Sequence, residues 1–573
     1  MGVTKEYERW LTHTDDHTKQ EMEQVSANPA ELEDRLGRAL AFGTGGLRGV
    51  MGAGNNRMNV YTVRQATQGV ANVIVSEGEE AKKKGVVIAY DSRHHSVEFS
   101  KEAARVLAAA GIVSYLFDEL RPTPELSFAI RKLHCVAGIN VTASHNPKEY
   151  NGYKVYWEDG AQIGPEKAAE VLAEIRRSDI FDDVHVMDFD EAVKQGLIHT
   201  IGKEIDEAFL ARVLEQAASP DAVAAVADTF KIIYTPFHGA GYRLVPEVLR
   251  RAGFKHVLTV AEQMKPDGDF PTVKSPNPEE KEGFTIAIGM AKKEAIDLII
   301  GTDPDSDRAG IVVRDASGEY IAMTGNQVGI LLTDYIISVK KERNELPENA
   351  AVVTTIVSTL MADPVCRQNH VALYRTLTGF KFIGEKIKEF EESGSNTFLF
   401  GFEESYGYLA GTYTRDKDAV VASLMIAEMA AWYRNKGVTL YEALQALYQK
   451  YGYYGERLIS LKMEGLDALD RMKALMEHLR EEGLKEIGGV AITAERDYLK
   501  DVRKTMDGKT TEKTGLPQSD VLYYEMEDGS SVIVRPSGTE PKIKLYLLVS
   551  GQSAAETGEK LDRYENAMRA VLK

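Results

Sequence analysis

A chain of 573 residues exceeds what one hydrophobic core can organise, so roughly three to five domains are expected. Its net charge of −18 excludes a general nucleic-acid binder, which needs a basic face, but leaves room for a phosphorylated ligand in a local cationic pocket. Two cysteines, Cys135 and Cys366, sit in or beside apolar stretches and read as buried thiols of a reducing compartment, with a disulfide between them left open. No apolar run is long enough to span a bilayer and the charged first 20 residues hold no signal-peptide core, so a cytoplasmic protein is expected.

Residues 1–40 read as helical packaging on the first domain. Asn28-Pro29 opens an amphipathic helix with Leu32, Leu36 and Leu40 on one stripe. Phe42-Gly43-Thr44-Gly45-Gly46-Leu47-Arg48-Gly49 follows. A dinucleotide fingerprint starting at Gly43 would need glycine where Arg48 stands, and a helix rather than a strand precedes it, so that reading fails. A glycine-rich loop with free amides and one arginine remains, either an anion cradle or a plain surface loop.

From Gly85 an internal repeat begins. Residues 86–90 form an apolar strand, 91–95 a polar loop, 96–110 a helix capped by Ser96, and 112–117 a second strand. The same order recurs from 231 to 260 and from 352 to 374. Strand–loop–helix–strand units imply parallel α/β architecture. Each copy later reaches another apolar strand ending in an unusual polar loop, at 142–146, 302–308 and 403–405. Ligands of α/β sheets gather at the carboxyl ends of strands, so three such ends can face one cleft. Beyond about residue 455 the sequence turns helical and charged. It then gives strands at 521–526, 531–534 and 542–549, with a hairpin turn at Asp528-Gly529 and a last helix at 554–572, a smaller α+β domain.

The first polar loop is Thr142-Ala143-Ser144-His145-Asn146-Pro147. Ser144 stands at a strand tip, where its hydroxyl can take and return a phosphoryl group; an ordinary loop serine is the bland alternative. A protease-like Ser144–His145 pair is disfavoured, because adjacent side chains on an extended loop point apart. In Asp303-Pro304-Asp305-Ser306-Asp307-Arg308, alternate side chains of an extended backbone share a face, so three carboxylates can converge on Mg²⁺. An EF-hand would need glycine and glutamate where Arg308 and Arg314 stand. The alternative is an acidic solvated turn, against which stands the mutual repulsion of three carboxylates at a buried strand end.

Glu403 and Ser405, in Gly401-Phe402-Glu403-Glu404-Ser405-Tyr406-Gly407, suit vicinal sugar hydroxyls. Glu403 and Glu404 cannot flank one glycosidic bond from opposite faces. Arg535-Pro536-Ser537-Gly538-Thr539 offers a guanidinium fork, hydroxyls and a glycine amide as a phosphate cradle, with Lys542 nearby, or else an ordinary turn.

Taken in order, these four loops resemble those of the α-D-phosphohexomutase superfamily, the phosphoglucomutase and phosphomannomutase enzymes, over nearly the whole chain. Length, N-terminal extension and the Gly-Phe-Glu-Glu-Ser-Tyr-Gly variant are most similar to the longer bacterial, phosphoglucomutase-2-like type. The resemblance implies three similar mixed α/β domains and a smaller C-terminal α+β domain around a central cleft. The corresponding segments are a 1–40 extension, 41–205 with the phosphoserine loop, 206–322 with the metal loop, 323–455 with the sugar loop and 456–573 with the phosphate loop. It implies one Mg²⁺ held by Asp303, Asp305, Asp307 and a Ser144 phosphoserine oxygen, and glucose 1,6-bisphosphate as intermediate and activator.

Catalytic roles are implied for Ser144, Arg48, His145, Lys154 and Lys417. A lysine acting as base near neutral pH must fall from its ordinary pKa of about 10.4. Substrate contacts are implied for Thr378, Gly379, Lys381, Arg308, Arg415, Glu403, Ser405, Arg535, Ser537, Gly538 and Thr539. Bacterial phosphomannomutases often carry Gly-His after the sugar loop. Here Tyr406-Gly407-Tyr408 removes that histidine and weakens a mannose reading. Pentose phosphates stay open as substrates. A serine-dependent metal phosphohydrolase or a non-catalytic phosphosugar sensor would not need all four loops. No nucleic-acid or membrane partner is expected, and family precedent with the acidic surface favours a monomer.

Overall fold

Each of the three repeats read from the sequence is built around a central strand with parallel neighbours on both sides. The computed structural model describes residues 2–43, 45–463, 467–537 and 542–572. In the first repeat Val86–Tyr90 lies between Ser114–Phe117 and Ala137–Val141, parallel to both. In the second, Lys231–Thr235 lies between His256–Thr259 and Leu298–Thr302. In the third, Ala350–Thr355 lies between Ala372–Thr376 and Thr397–Phe402. The central strands Val86–Tyr90 and Ala350–Thr355 are buried throughout. That burial is why they read as continuous apolar runs rather than alternating ones. Each third strand runs into one of the three polar loops, which is where the parallel order places chemistry.

The chain packs as two units. One comprises Met1–Thr324, Ile387–Glu389 and Tyr406–Thr439; the other comprises Gly325–Lys386, Phe390–Ser405 and Leu440–Lys573. In the first unit the helices Val3–His13, Asp16–Val25 and Pro29–Leu36 close on Trp10, which is fully buried with Met22, Leu36 and Tyr61 and donates its indole N–H to Asn55. The helix at Asn28-Pro29 therefore ends at Leu36, short of Leu40. Gly46–Val50 corrects the glycine-loop reading: it is a strand, antiparallel to Tyr150–Trp157, with Arg48 opposite Gly152. Its glycines serve close approach, since a Cβ on Gly46 would stand 2.1 Å from the Tyr153 carbonyl oxygen.

In the same unit, the helix Ala419–Asn435 is almost wholly buried against Pro220–Val226 and Gly241–Arg251. Asp418 caps it, accepting the amides of Val420 and Val421. Burial pushes this carboxyl up to about 6, against hydrogen bonds from Tyr413 and those amides. In the second unit, the C-terminal sheet holds strands the sequence reading missed: Tyr453–Lys462, Val490–Asp497 and Val502–Thr505. Tyr453–Lys462 pairs antiparallel with Lys542–Gly551 over ten residues. Among the described residues no helix is long and apolar enough to cross a membrane.

Candidate functional site

Buried strand Ala137–Val141 ends at Thr142, whose hydroxyl donates to Asp91 at 2.6 Å and accepts the Ser144 amide at 2.8 Å. The backbone then enters the left-handed region at Ser144, φ 51°. This turn aims Ser144 Oγ at Asp303 Oδ2, 2.7 Å away. It also brings His145 Nδ1 within 3.2 Å of Oγ, correcting the expectation that the two side chains point apart: the loop is not extended there. Burial, then the Arg308 and Arg48 guanidiniums, hold the His145 imidazole well below its usual pKa. A neutral ring offers Ser144 one donor or one acceptor, according to tautomer.

The acidic loop follows Leu298–Thr302 and precedes Ala309–Arg314, two antiparallel neighbours. It too is a tight turn rather than extended backbone, with Ser306 at φ 49°. Its carboxylates nevertheless converge: Asp303, Asp305 and Asp307 are all buried and present oxygens within 4.8 Å of one another. Asp303 Oδ1 accepts the amides of Asp307 and Arg308 at 3.1 and 3.0 Å. Asp305 Oδ1 and Asp307 Oδ1 are buried with no hydrogen-bond donor among the described residues. Burial, then the charges of Asp305 and Asp307, raise Asp303 well above the usual carboxylate range. Burial also opposes ionisation of Asp305, but Lys154, the hydrogen bond with Asp303 and Lys417 hold it below that range. Buried carboxylate oxygens without a hydrogen-bond donor, in one acidic cluster, fit a hard divalent cation bound through oxygen.

Two lysines reach this cluster from different elements. Lys154, on Tyr150–Trp157, places Nζ 2.9 Å from Asp305 and 3.7 Å from Asp307. Lys417, just before the Asp418 cap, lies 2.8 Å from Asp307 and 3.3 Å from Asp416. Arg308 pairs with Glu279 at 3.2 Å, and Arg48 donates to Asn146 at 3.0 Å. Arg415 is buried and donates to the Thr412 carbonyl.

Supporting residues escaped the sequence reading. Thr123 donates its hydroxyl to Asp305, Asn140 donates to Thr123, Tyr156 donates to Asp416, and Asp91 with Arg93 holds the serine loop. Only Asp91-Ser92-Arg93 carried a signal, as the polar end of the first repeat's central strand.

In the second unit Glu403 is nearly buried at the end of Thr397–Phe402 and accepts the Gly379 amide at 2.8 Å, beside Thr378. Gly379 has φ 120°, a conformation that favours glycine. Burial lowers the Lys381 ammonium pKa. Ser405 is half-buried, and Glu404 accepts from Thr355 and Ser358. Arg535 is the next-to-last residue of the strand Ser531–Pro536, and the Ser537 amide donates to the Lys542 carbonyl. Tyr546 links these two loops: burial and then Glu404 raise its phenol, while Arg535, hydrogen-bonded to it, opposes that rise. Gly538 and Thr539 lie outside the described residues.

Fold and site together define an α/β enzyme with a serine poised on a buried carboxylate cluster. Models of the phosphoglucomutase/phosphomannomutase family match in chain order. Its α/β/α domains I, II and III match residues 39–180, 207–318 and 324–451, and its C-terminal domain matches 459–563. A phosphoglucomutase of Staphylococcus aureus is 35% identical over 563 residues, 98% of each chain. One of Staphylococcus epidermidis is 37% identical over 521 residues, 91% of this chain and 92% of that one. The crystal structure of parafusin, a phosphoglucomutase from Paramecium, shares the fold at TM-score 0.66 and 18% identity, over 93% of this chain and 95% of that one. The chain belongs to the phosphoglucomutase/phosphomannomutase family. It is an enzyme of the isomerase class, an intramolecular phosphotransferase.

Proposed function

We propose that the enzyme interconverts glucose 1-phosphate and glucose 6-phosphate through a phosphoserine at Ser144 and a glucose 1,6-bisphosphate intermediate. The observation that carries this reading is Ser144 Oγ standing 2.7 Å from Asp303, at the edge of a buried acidic cluster faced by two lysines. Asp303, Asp305 and Asp307 would hold Mg²⁺, which when bound supplies charge neutralisation at the phosphoryl oxygens. The chain's own groups do the rest. Ser144 carries the phosphoryl group and gives it to the free sugar hydroxyl. Lys154 or Lys417 takes that hydroxyl's proton and returns it on the second transfer. Arg48 and Arg308 offset phosphate charge, and neutral His145 orients Oγ. Such a reaction needs positioning and electrostatics more than covalent chemistry from the protein.

Glu403, Ser405, Thr378 and Gly379 are proposed to read sugar hydroxyls. Lys381, Arg415, Arg535, Ser537, Gly538 and Thr539 are proposed to hold the non-reacting phosphate. The five segments 1–40, 41–205, 206–322, 323–455 and 456–573 are proposed as the working domains, in a monomeric cytoplasmic enzyme.

Phosphorus NMR of glucose 1-phosphate with the protein, Mg²⁺ and a trace of glucose 1,6-bisphosphate tests the reading, with ribose 1-phosphate alongside. Accumulating glucose 6-phosphate supports it. A faster pentose reaction moves the substrate class to pentoses, and growing inorganic phosphate makes the enzyme a hydrolase. Replacing the acid/base lysine with methionine keeps the aliphatic stem and is expected to lower kcat by about 10²- to 10⁴-fold. Steady-state assays of Lys154→Met and Lys417→Met assign the role, and whichever variant turns over normally is excluded from it.

A further inference from the structure

We propose that Arg93 is a positioning residue for phosphoryl transfer: its guanidinium fixes where Ser144 Oγ stands by gathering the main-chain carbonyls of the serine loop. The inference rests on Ser144 being the phosphoryl carrier. Nη1 of Arg93 donates to Pro147 at 2.8 Å and Tyr150 at 3.0 Å; Nη2 donates to Ser144 at 2.5 Å and to Asn146. Four carbonyl oxygens thus converge on one planar cation, and they flank the serine on its carboxyl side. Carbonyl dipoles brought to one point repel unless donors stand between them, and only a guanidinium presents enough in-plane N–H groups.

Asp91 and Phe270 hold the clamp in place. Asp91 lies 3.3 Å from Arg93 Nε and also accepts the Arg93 amide and the Ser96 and Thr142 hydroxyls. Thr142 in turn receives the Ser144 amide. The amide of Ser144 is therefore fixed through Thr142 and Asp91, and its carbonyl through Arg93, leaving Oγ to face Asp303. The buried ring of Phe270 covers the guanidinium, with its centroid 5.1 Å from Cζ. Phe270 belongs to the loop whose Gly268 abuts the His94 backbone, where a Cβ would meet the amide at 2.7 Å. A side chain in the first repeat thus holds the nucleophile loop while a segment of the second keeps water away from it. These bonds go to main chain and to Asp91, which makes Arg93 a determinant of transfer rate rather than of sugar affinity.

The test measures labelling of Ser144 from phosphorus-labelled glucose 1,6-bisphosphate, together with kcat and KM for glucose 1-phosphate. Arg93→Lys keeps a charge but has one ammonium for four carbonyls. Its labelling rate and kcat are expected to fall about 100-fold, the cost of roughly 1 Å of misplacement, with KM unchanged and the same final fraction of chains labelled. In Arg93→Ala, added guanidinium chloride at sub-denaturing concentration is expected to restore part of the rate. If Arg93→Lys labels at the wild-type rate, or loses labelled fraction in step with folded fraction, the inference is overturned; a rise in KM with kcat intact overturns it too. Wild-type protein that takes no label on Ser144 instead overturns the phosphoserine reading itself.

Discussion

Ser144→Ala is expected to lose at least about 10⁴-fold in kcat, because removing a covalent nucleophile removes the pathway rather than one stabilising contact. The fold should tolerate the change. Ser144 holds its left-handed φ through its main chain, whose amide donates to Thr142 and whose carbonyl accepts from Arg93, and these bonds survive without the hydroxyl. The substitution breaks the hydrogen bonds that join Oγ to Asp303 and His145. The variant should melt close to wild type, still bind sugar phosphate, and gain no phosphoryl mass when incubated with glucose 1,6-bisphosphate. Thermal melting, calorimetric titration with glucose 1-phosphate and intact-protein mass spectrometry check the three in turn, and a coupled assay measures the loss in kcat. Turnover above about one hundredth of wild type would move the phosphoryl group elsewhere.

The three repeats were legible in the sequence because buried parallel strands need apolar residues on both faces, and 86–90, 298–300 and 352–353 supply them. The loops stood out because polar residues abruptly end those runs. What could not be read was how the loops converge. Asp303, Asp305 and Asp307 meet through a turn with Ser306 at positive φ, and Ser144 meets His145 for the same reason. Sequence periodicity assumes regular backbone, and both loops leave it. Gly46–Val50 was missed because its glycines carry no strand propensity; the partner strand Tyr150–Trp157 demands Gly46 by close approach, and the Leu40 side chain crowds Gly49. Tyr453–Lys462 was missed because most of its length is only half-buried and its charged residues hide the alternation. Arg93 was invisible as a clamp because its partners are carbonyls 51 to 57 residues away, which any sequence supplies.

The acidic cluster should show opposite effects on activity and stability. Asp303→Asn is expected to lower activity at least about 10³-fold, since the carboxylate beside Ser144 would leave the cation site. Yet in chelated protein the same change should raise the melting temperature by about 2 °C. The cause is local. Asp303 is buried among Asp305 and Asp307, and both burial and their charges work against its ionisation. An amide in the same place keeps one oxygen for the Asp307 and Arg308 amides, and its NH₂ can donate to the Ser144 hydroxyl in place of the bond now accepted. The sign follows from the raised pKa: folded protein holds this proton more tightly than unfolded chain, so the carboxyl costs stability as pH rises above the ordinary aspartate value. Stability lost by the wild type between acid and neutral pH should accordingly be smaller in the variant. Adding Mg²⁺ to chelated wild type should raise its melting temperature through binding to the folded state, and should do little for Asp303→Asn. Calorimetry with EDTA and then with excess Mg²⁺ measures both shifts. Were the variant less stable than wild type in EDTA, the cluster would not be a store of like-charge strain, and its aspartates would be held by structure alone. Were Mg²⁺ to stabilise both proteins equally, the cation would bind elsewhere. A variant that is inactive, more stable when chelated and insensitive to Mg²⁺ would tie the cost of burying three carboxylates to the cation that their reaction requires.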